Sequence, residues 1–349
     1  MHSVFRIVEI TQTPSNSRLW EVQLTITDES DPQLAGLTDC IEEEISGEGW
    51  YRMGQLMLQV GHFDQAEELY NEILKGACDD NERAKVYNML GSFKDEQGEY
   101  KDAVEFYERS LEIKRKTLPE DDASLAPTYN NIGLAYNNMG EYSKALEFYE
   151  RAKQILEISL PPTHPDLATS YNNFGRVYAD MGEYSKALEF YEKSLKIKEI
   201  SLPPNHPDLA TSYNNIGEVY RNMGEYSKAL EYYEKSIKIK KISLLPTHPD
   251  LTISYTSIGG VYDDMGEYSK ALEYYERAKQ ILEISLPPNH SELAISYNNI
   301  GMTYDGMGDQ SKALSYLEKA LGIWRKSLPS THPHIKNVMN SIAVVKKKL

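Results

Sequence analysis

The amino-acid sequence predicts an all-α fold, an α-solenoid of tandem helix-turn-helix repeats, with a short β-hairpin at its amino-terminal end. The main observation is an internal repeat, because units at a fixed step predict a stacked architecture rather than separate globular domains. A first glycine recurs every 42 residues after one shorter step of 37, at Gly54, Gly91, Gly133, Gly175, Gly217, Gly259 and Gly301. A second glycine follows each of them by seven residues, and an alanine follows the second glycine by five. We therefore expect seven units between residues 37 and 332.

The hairpin is predicted for residues 1–36, which do not share the repeat. Two runs rich in β-branched and aromatic residues, Val4 to Ile10 and Leu19 to Ile26, flank a turn-forming Thr-Gln-Thr-Pro-Ser-Asn-Ser segment. A lone hairpin is marginally stable in water. It is therefore expected either to fold onto the first repeat or to be the edge of a larger sheet whose other strands lie upstream.

Each repeat is expected to form two helices joined by a tight turn. In the third unit a first helix, helix A, carries its apolar residues at i, i+3, i+4 and i+7, on one stripe. A second apolar stripe predicts helix B from about Ser143 to Ser159, and the Leu160-Pro161-Pro162 run ends it. Gly140 lies between the helices, where a positive φ is expected at the end of helix A.

Two small residues of each unit, such as Gly133 and Ala145, are expected where helices A and B cross. Without a large side chain the two backbones can approach more closely than the usual ~8 to 10 Å. After the last unit, residues 333–349 keep a helical apolar pattern and end in Lys346-Lys347-Lys348. We interpret this segment as a capping helix, because the last unit of an open stack otherwise leaves an apolar face in water.

These unit features resemble the tetratricopeptide repeat. The 42-residue period, the His-Pro-Asp connection and the paired asparagines that open helix A, as in Tyr-Asn-Asn-Ile-Gly, are similar to the kinesin light chain type of that repeat. The resemblance covers residues 49 to 349 and implies a protein-binding solenoid. It does not by itself imply a motor, because no amino-terminal heptad coiled coil is recognisable.

The first 35 residues or so resemble the tail of the arginine-specific mono-ADP-ribosyltransferase domain. Met-His-Ser-Val-Phe-Arg-Ile, a strand ending in Leu-Thr-Ile-Thr-Asp, and Leu-Thr-Asp-Cys-Ile-Glu-Glu-Glu carry this resemblance. It implies no catalytic residue in this chain, because the arginine, Ser-x-Ser and Glu-x-Glu elements of that family precede the equivalent strand. Glu42 and Glu44 follow the hairpin instead, and we interpret them as a solvated acidic face.

The net charge and the spacing of cysteine and histidine residues exclude several classes of partner and site. A net charge of −16 disfavours nucleic acid, which needs a concentrated basic surface, and disfavours anionic membranes as well. No apolar run approaches the ~18 residues of a membrane span, and Cys40 and Cys78 lack a metal-ligand or CxxC spacing, so a cytoplasmic protein is expected. No catalytic or cofactor motif occurs, so we expect no enzyme, cofactor or metal site. Histidines that recur every 42 residues are too far apart to share a metal and are interpreted as turn residues.

The candidate binding residues lie on the second face of helix A, which lines the concave groove in tetratricopeptide folds. They are Asn130, Asn137, Asn172, Arg176, Asn214, Glu218, Arg221, Asp263, Asn298 and Asp305. The leading asparagines could clamp a peptide backbone, because an amide both donates and accepts. Arg176 and Arg221 favour an acidic stretch in the partner, unless they pair with Asp180 or Glu218 within the groove, while the later aspartates favour a basic or neutral continuation. Drift on an unused face is the alternative for the whole set.

The sequence therefore predicts a scaffold that binds a protein or peptide in its groove and performs no chemistry of its own. One alternative is the C-terminal fragment of an NAD-dependent arginine mono-ADP-ribosyltransferase, whose repeats position its targets. A passive spacer without a preferred ligand is the other.

Overall fold

A computed structural model of the chain describes residues 4–12, 20–27, 63–77, 79–328 and 332–349. It divides into two compact units, Met1–Lys114 and Arg115–Leu349. Helix A of the first predicted repeat, the turn of the predicted hairpin, and the Glu42 and Glu44 pair lie outside the described residues.

The described residues of the first unit form two strands and three helices. Strands β1 (Val4–Gln12) and β2 (Trp20–Thr27) pair antiparallel, with Val4 opposite Thr27. Helices α1 (Phe63–Gly76), α2 (Asp80–Glu96) and α3 (Tyr100–Thr117) follow, and α3 runs three residues past the boundary. Buried Ala66 and Tyr70 of α1 pack with Val86 and Leu90 of α2 in one apolar cluster.

The second unit begins with a short 3₁₀ helix, Ala123–Leu125, and continues with eleven α-helices among the residues described there. Those that correspond to helix A are α4 (Ala126–Asn138), α6 (Pro165–Asp180), α8 (Pro207–Asn222), α10 (Asp250–Asp264) and α12 (Ser291–Gly306). Those that correspond to helix B are α5 (Tyr142–Ser159), α7 (Tyr184–Ser201), α9 (Tyr226–Ser243), α11 (Tyr268–Ser285) and α13 (Gln310–Ser327). Each helix B packs against its own helix A and against the next one along the chain. The tandem helical repeats that the sequence predicts are thus confirmed in this unit.

The turn between the two helices follows from the second glycine. Gly98, Gly140, Gly182, Gly224, Gly266 and Gly308 all have φ between 74° and 81°. At the third unit the Gly140 N–H donates to Asn137 O at 2.9 Å, and the Glu141 N–H donates to Tyr136 O at 2.9 Å. These bonds satisfy carbonyls at the end of helix A, and the left-handed conformation they require favours a residue without a Cβ. The predicted role of this glycine is confirmed.

The first glycine makes room for a side chain of helix B. A Cβ at Gly217 would lie 2.8 Å from the ring of Tyr233, and a Cβ at Gly133 would lie 2.7 Å from the ring of Tyr149. In these units the glycine therefore makes room for the aromatic ring of helix B, and in the last unit a Cβ at Gly301 would meet Leu317 and the Ala313 carbonyl oxygen, at 3.2 Å from the latter. The alanine, as at Ala229, is fully buried, there beside the Tyr233 ring.

Each His-Pro junction also begins the next helix A. The imidazole of His206 accepts a hydrogen bond from the Asp208 N–H at 3.2 Å, and His164, His248 and His290 do the same in their units. The histidine is therefore a helix N-cap, a role that Asp, Asn, Ser and Thr usually have, and it satisfies a donor that the helix itself leaves free. Among the residues that the structure describes, no cluster of potential metal ligands occurs.

Helix α14 (Pro333–Lys348) packs on α13 at the end of the second unit. Ile335, Val338, Ile342 and Val345 are buried and share a cluster with Trp324. They cover the apolar face of the last repeat, as expected of a cap. The described helices include none that is both long enough and apolar enough to cross a membrane.

Candidate functional site

The predicted groove residues all lie on the helix A series of the second unit. Asn130 and Asn137 lie on α4, Asn172 and Arg176 on α6, Asn214, Glu218 and Arg221 on α8, Asp263 on α10, and Asn298 and Asp305 on α12. We call this set, with the side chains that contact it, the A-helix face. Successive members of the series touch, since α4 contacts α6, α8 contacts α10, and α12 contacts α14.

Polar side chains join these neighbouring helices directly. The Asn137 amide donates to Asp180 Oδ2 at 2.7 Å, and Arg221 Nε donates to Asp264 Oδ2 at 2.6 Å. Lys348 Nζ of the cap helix donates to both carboxylate oxygens of Asp305 at 2.8 Å. Each pair is 43 residues apart, so a residue of one unit meets the residue one position further along in the next unit. Three of the predicted binding residues are therefore engaged in contacts within the solenoid.

The leading asparagines are partly engaged as well. Asn215 Nδ2 donates to Asn172 Oδ1 at 2.9 Å, and Ser254 Oγ donates to Asn214 Oδ1 at 3.4 Å. Both bonds use the side-chain oxygen, and the amide donors of Asn172 and Asn214 make no hydrogen bond to the residues that the structure describes. In the third unit the geometry differs, because Asn130 Oδ1 is buried without a hydrogen-bond partner among the described residues.

Arg221 is held inside the face. Its guanidinium lies against Gly260 of the next helix A, where a Cβ would come within 2.9 Å of the guanidinium carbon. The side chain is 28% exposed, and Glu218 lies 3.9 Å away in addition to Asp264. Burial alone would lower the pKa of Arg221, but the hydrogen bond and the negative charge of Asp264 outweigh it and raise the pKa. Arg221 is therefore a permanent cation paired within the protein.

Arg176 is placed differently. Its side chain is 50% exposed, its Nη2 donates to Asn138 Oδ1 at 3.3 Å, and its Nε lies 4.0 Å from Asp180. The contact with Asp180 is at the limit of an ion pair. The two arginines that the sequence treats alike thus differ: Arg221 has a short charge-assisted hydrogen bond, whereas Arg176 keeps a guanidinium that a ligand can reach.

The acidic residues of the face lie toward its later units. The Tyr233 hydroxyl donates to Glu218 Oε2 at 2.6 Å, and burial together with this carboxylate raises the pKa of Tyr233. Burial also raises the pKa of Asp263. The hydrogen bond with Thr303 lowers this pKa, and the negative charge of Asp264 raises it further. Asp263 Oδ1 is buried and has no hydrogen-bond partner within the described part of the chain. This carboxyl is therefore in a less favourable environment for its charge than an exposed aspartate.

Several residues that complete the face were not predicted from the sequence. Asn215, Ser254 and Lys348 each contribute a hydrogen bond to a predicted member. The signal that could have found Asn215 and Lys348 is the 43-residue offset, because residues one position out of register with the repeat then become partners, whereas Ser254 lies 40 residues after Asn214. The sequence repeat itself has a period of 42 residues, so it would pair each residue with its equivalent in the next unit, which is not the residue that it contacts.

Comparison with known proteins supports the repeat assignment. The sequence model of the tetratricopeptide repeat matches residues 47–116, 124–200, 208–284 and 250–326. No curated protein matches the chain at a significant level. Among solved structures, BtubC (BKLC) from P. vanneervenii is 23% identical with a TM-score of 0.56, and the match covers 67% of this chain and 94% of that one.

Two further solved structures are similar in fold. The kinesin light chain-like repeats from Podosopora anserina are 23% identical with a TM-score of 0.50, and the match covers 59% of this chain and 98% of that chain. A Rap protein complexed with Competence and Sporulation Factor is 15% identical with a TM-score of 0.55, and the match covers 81% of this chain and 80% of that one. At these identities the likeness establishes the fold alone.

Proposed function

Because the chain belongs to the tetratricopeptide repeat family, we propose that it is a protein-interaction scaffold whose A-helix face binds an extended peptide segment of a partner protein. The family and the fold supply the frame for this proposal. A solved protein of similar fold, the Rap protein, is complexed with Competence and Sporulation Factor. The proposal for this chain depends on the A-helix face itself.

One observation carries the proposal. In two adjacent units, the side-chain oxygens of Asn172 and Asn214 accept hydrogen bonds within the A-helix face, and their amide N–H groups make none to the described residues. A peptide in extended conformation offers backbone carbonyls as acceptors, and unmet donors on a partly buried surface are stabilised by such acceptors. The asparagines therefore act in this proposal as donors to ligand carbonyls, rather than as two-way clamps.

Charge adds a direction to the bound peptide. Arg176 has an accessible guanidinium, which can hold a carboxylate through two parallel hydrogen bonds. We therefore place the acidic stretch of the partner at Arg176 and not at Arg221, which is paired with Asp264. Farther along the face, Asp263 and Asp264 favour a basic or neutral continuation of the peptide.

The test is a peptide array followed by affinity measurements on the full chain. Arg176→Glu should remove acidic peptides from the bound set, and the loss should shrink as salt is raised, because a partly exposed charge is screened. A matched control is Arg277→Glu on helix α11, since Arg277 is similarly exposed at 48% and is paired with Glu273 outside the face. If both variants bind the same peptides as the unmodified chain, the proposal is wrong.

The asparagine contribution has its own test. Asn172→Asp combined with Asn214→Asp preserves shape and removes the amide donors, so it should weaken binding of neutral groove peptides, on which the added negative charges act least. A matched change away from the A-helix face, Asn289→Asp in the exposed segment before α12, should leave affinity unchanged. Equal affinity of all three proteins would contradict the donor role.

The enzyme alternative has a narrower basis. Two paired strands, Val4–Gln12 and Trp20–Thr27, precede the repeats, as the resemblance to an arginine-specific ADP-ribosyltransferase tail requires. In this second proposal the repeats would position targets for a catalytic domain encoded upstream.

A cytoplasmic setting is part of the scaffold proposal. It is supported by the spacing of Cys40 and Cys78, which matches neither a CxxC motif nor a metal site.

A further inference from the structure

A row of exposed isoleucines runs along the carboxyl ends of four consecutive B helices. The members occupy the same position in α5, α7, α9 and α11, and they are Ile158 (71% exposed), Ile200 (70%), Ile242 (59%) and Ile284 (71%). We call them the isoleucine row. A large β-branched apolar side chain in water at the same place in four neighbouring units forms an extended apolar surface, and such surfaces mark interaction sites.

The row has defined ends. The equivalent position holds Lys116 in α3 and Lys326 in α13, both exposed. Since lysine occupies the same place in two other repeats of this chain, the fold does not require isoleucine there. The four apolar residues are therefore a property of the surface rather than of the core, and they are limited to the middle units of the solenoid.

Charged residues beside the row differ between its centre and its ends. At the centre, Lys196 and Lys238 lie one helical turn before Ile200 and Ile242, and neither makes an ion pair with a residue that the structure describes. The residue immediately before Ile242 is a third cation, Lys241, whose Nζ lies 5.6 Å from the Tyr255 ring centroid. The residue immediately before Ile200 is Glu199, whose carboxylate accepts a hydrogen bond from Tyr213. The end positions hold Gln154 and Gln280 where the centre has lysine, and the carboxylates of Glu157 and Glu283 lie next to the isoleucines there.

This charge pattern selects the occupant. In a two-fold pairing of two copies about the middle of the row, the lysine-rich centre of one copy would face the lysine-rich centre of the other. Like charges placed opposite each other oppose association. A segment with acidic side chains at its middle meets the central lysines instead, and its apolar side chains cover the isoleucines.

We propose that the isoleucine row is a second interaction surface, on the B helices, that binds an amphipathic acidic helix of another protein. Successive B helices are separated by a helix A, so the isoleucines are between one and two packing distances of about 8 to 10 Å apart. Leucines at heptad spacing on a partner helix are about 10.5 Å apart, and every second one about 21 Å apart, so such a helix can bring a leucine close to successive isoleucines. This surface is formed by residues other than those of the A-helix face, so it goes beyond the proposed groove function.

The experiment uses the full chain and two synthetic helical peptides of about four heptads. Both carry leucine at every seventh position, and the flanking residues are glutamate in one peptide and lysine in the other. Binding is measured by fluorescence anisotropy against the unmodified chain, Ile200→Lys combined with Ile242→Lys, and Arg176→Glu. The isoleucine variant copies residues found at the same position in α3 and α13, so it should fold, and circular dichroism checks this.

The acidic peptide should lose at least tenfold in affinity for the isoleucine variant and should bind Arg176→Glu like the unmodified chain, because a helical peptide does not offer the extended backbone that the A-helix face is proposed to bind. The basic peptide should bind at least tenfold more weakly than the acidic one. Equal binding of both peptides, no binding of the acidic peptide, or an isoleucine variant with unchanged affinity would overturn the proposal. So would a concentration-dependent dimer of the unmodified chain that the isoleucine variant abolishes in analytical ultracentrifugation. Because Arg176→Glu reports on the groove alone, failure of one surface is distinguishable from failure of the other.

Discussion

The guanidinium of Arg221 lies directly against Gly260 of the next repeat, and its Nε reaches Asp264 at 2.6 Å. Glycine at this position leaves the space that the guanidinium fills. In the units on either side the same place holds Glu218 and Met302. Arg221 is thus held by a short charge-assisted hydrogen bond, whereas Arg176, which occupies a different position in its repeat, has only the longer contacts with Asn138 and Asp180.

Gly260→Ala should break the Arg221 contact with little loss of stability. The added Cβ would meet the mobile end of the arginine side chain at 2.9 Å, so the guanidinium moves away from Asp264. Replacing a helical glycine by alanine favours the helix by up to about 1 kcal/mol, which offsets the lost pair. A double-mutant cycle between Arg221→Ala and Asp264→Ala measures this. Its coupling energy, expected to be up to about 1 kcal/mol for a partly exposed pair, should fall toward zero in the alanine background. An undiminished coupling would show that Gly260 does not position Arg221.

Gly217→Leu should destabilise the fifth repeat by about 1 to 3 kcal/mol through overpacking. The reason is the Tyr233 ring, which lies 2.8 Å from the position of a Cβ. Ala229→Leu should have a similar effect, because Ala229 is fully buried beside that ring. Urea unfolding of the full chain gives the change. Gly322→Ala is the control, since a Cβ there meets nothing within 4 Å, and it should leave the midpoint unchanged or raise it. Unaltered unfolding of both leucine variants would reject the packing described for these helices.

Stability should fall with rising pH above the ordinary pKa of tyrosine, and Tyr107 should account for part of the loss. Burial raises the pKa of Tyr107 to about 12, an effect that its hydrogen bond to Ser92 opposes. A folded-state pKa above the unfolded value means that the stabilisation is complete below about pH 10 and is lost as the pH rises toward 12. At pH 11 the expected loss from this residue is about 1 kcal/mol.

The measurement for Tyr107 is urea unfolding at pH 8 and pH 11. The difference in free energy of unfolding between these two conditions should be smaller in Tyr107→Phe than in the unmodified chain, because phenylalanine has no proton to lose. Tyr142→Phe is a control, since Tyr142 is a half-buried tyrosine at the start of α5 and its substitution should leave the difference as it is. An identical pH dependence in all three proteins would contradict the role of Tyr107.

Incubation of the purified chain with NAD and an arginine acceptor should give no transfer of ADP-ribose. The motif positions that the transferase family uses precede the strand equivalent to Val4–Gln12, and no match to them was found in this chain. Mass spectrometry of the acceptor measures the outcome, with a known transferase as the positive control. A modified acceptor would mean that this chain carries a catalytic site that its motifs do not indicate.

The sequence by itself determined the features that depend on neighbours along the chain. The 42-residue period predicted the helix pairs, and the second glycine of each unit predicted a left-handed turn, because that conformation is a property of one residue and the few beside it. The spacing of three and four residues between apolar side chains predicted that Ile335, Val338 and Ile342 lie on one stripe of the cap helix, and this stripe is buried. The N-cap role of the histidines also depends on local sequence, but it was not predicted because an imidazole seldom serves as the acceptor at an N-cap.

Only the tertiary structure decided which side chains meet across units. Stacked A helices are displaced so that a residue faces the one 43 positions later, and this offset pairs Arg221 with Asp264 and Asn137 with Asp180. The repeat period cannot give it, because the displacement between two packed helices is set by how their side chains interlock and not by sequence spacing. For the same reason the ring of Tyr233 that the first glycine Gly217 faces could not be named from the sequence. Two arginines on the same series of helices consequently differ in their surroundings, since Arg221 lies against Gly260 and Asp264 whereas Arg176 is half exposed.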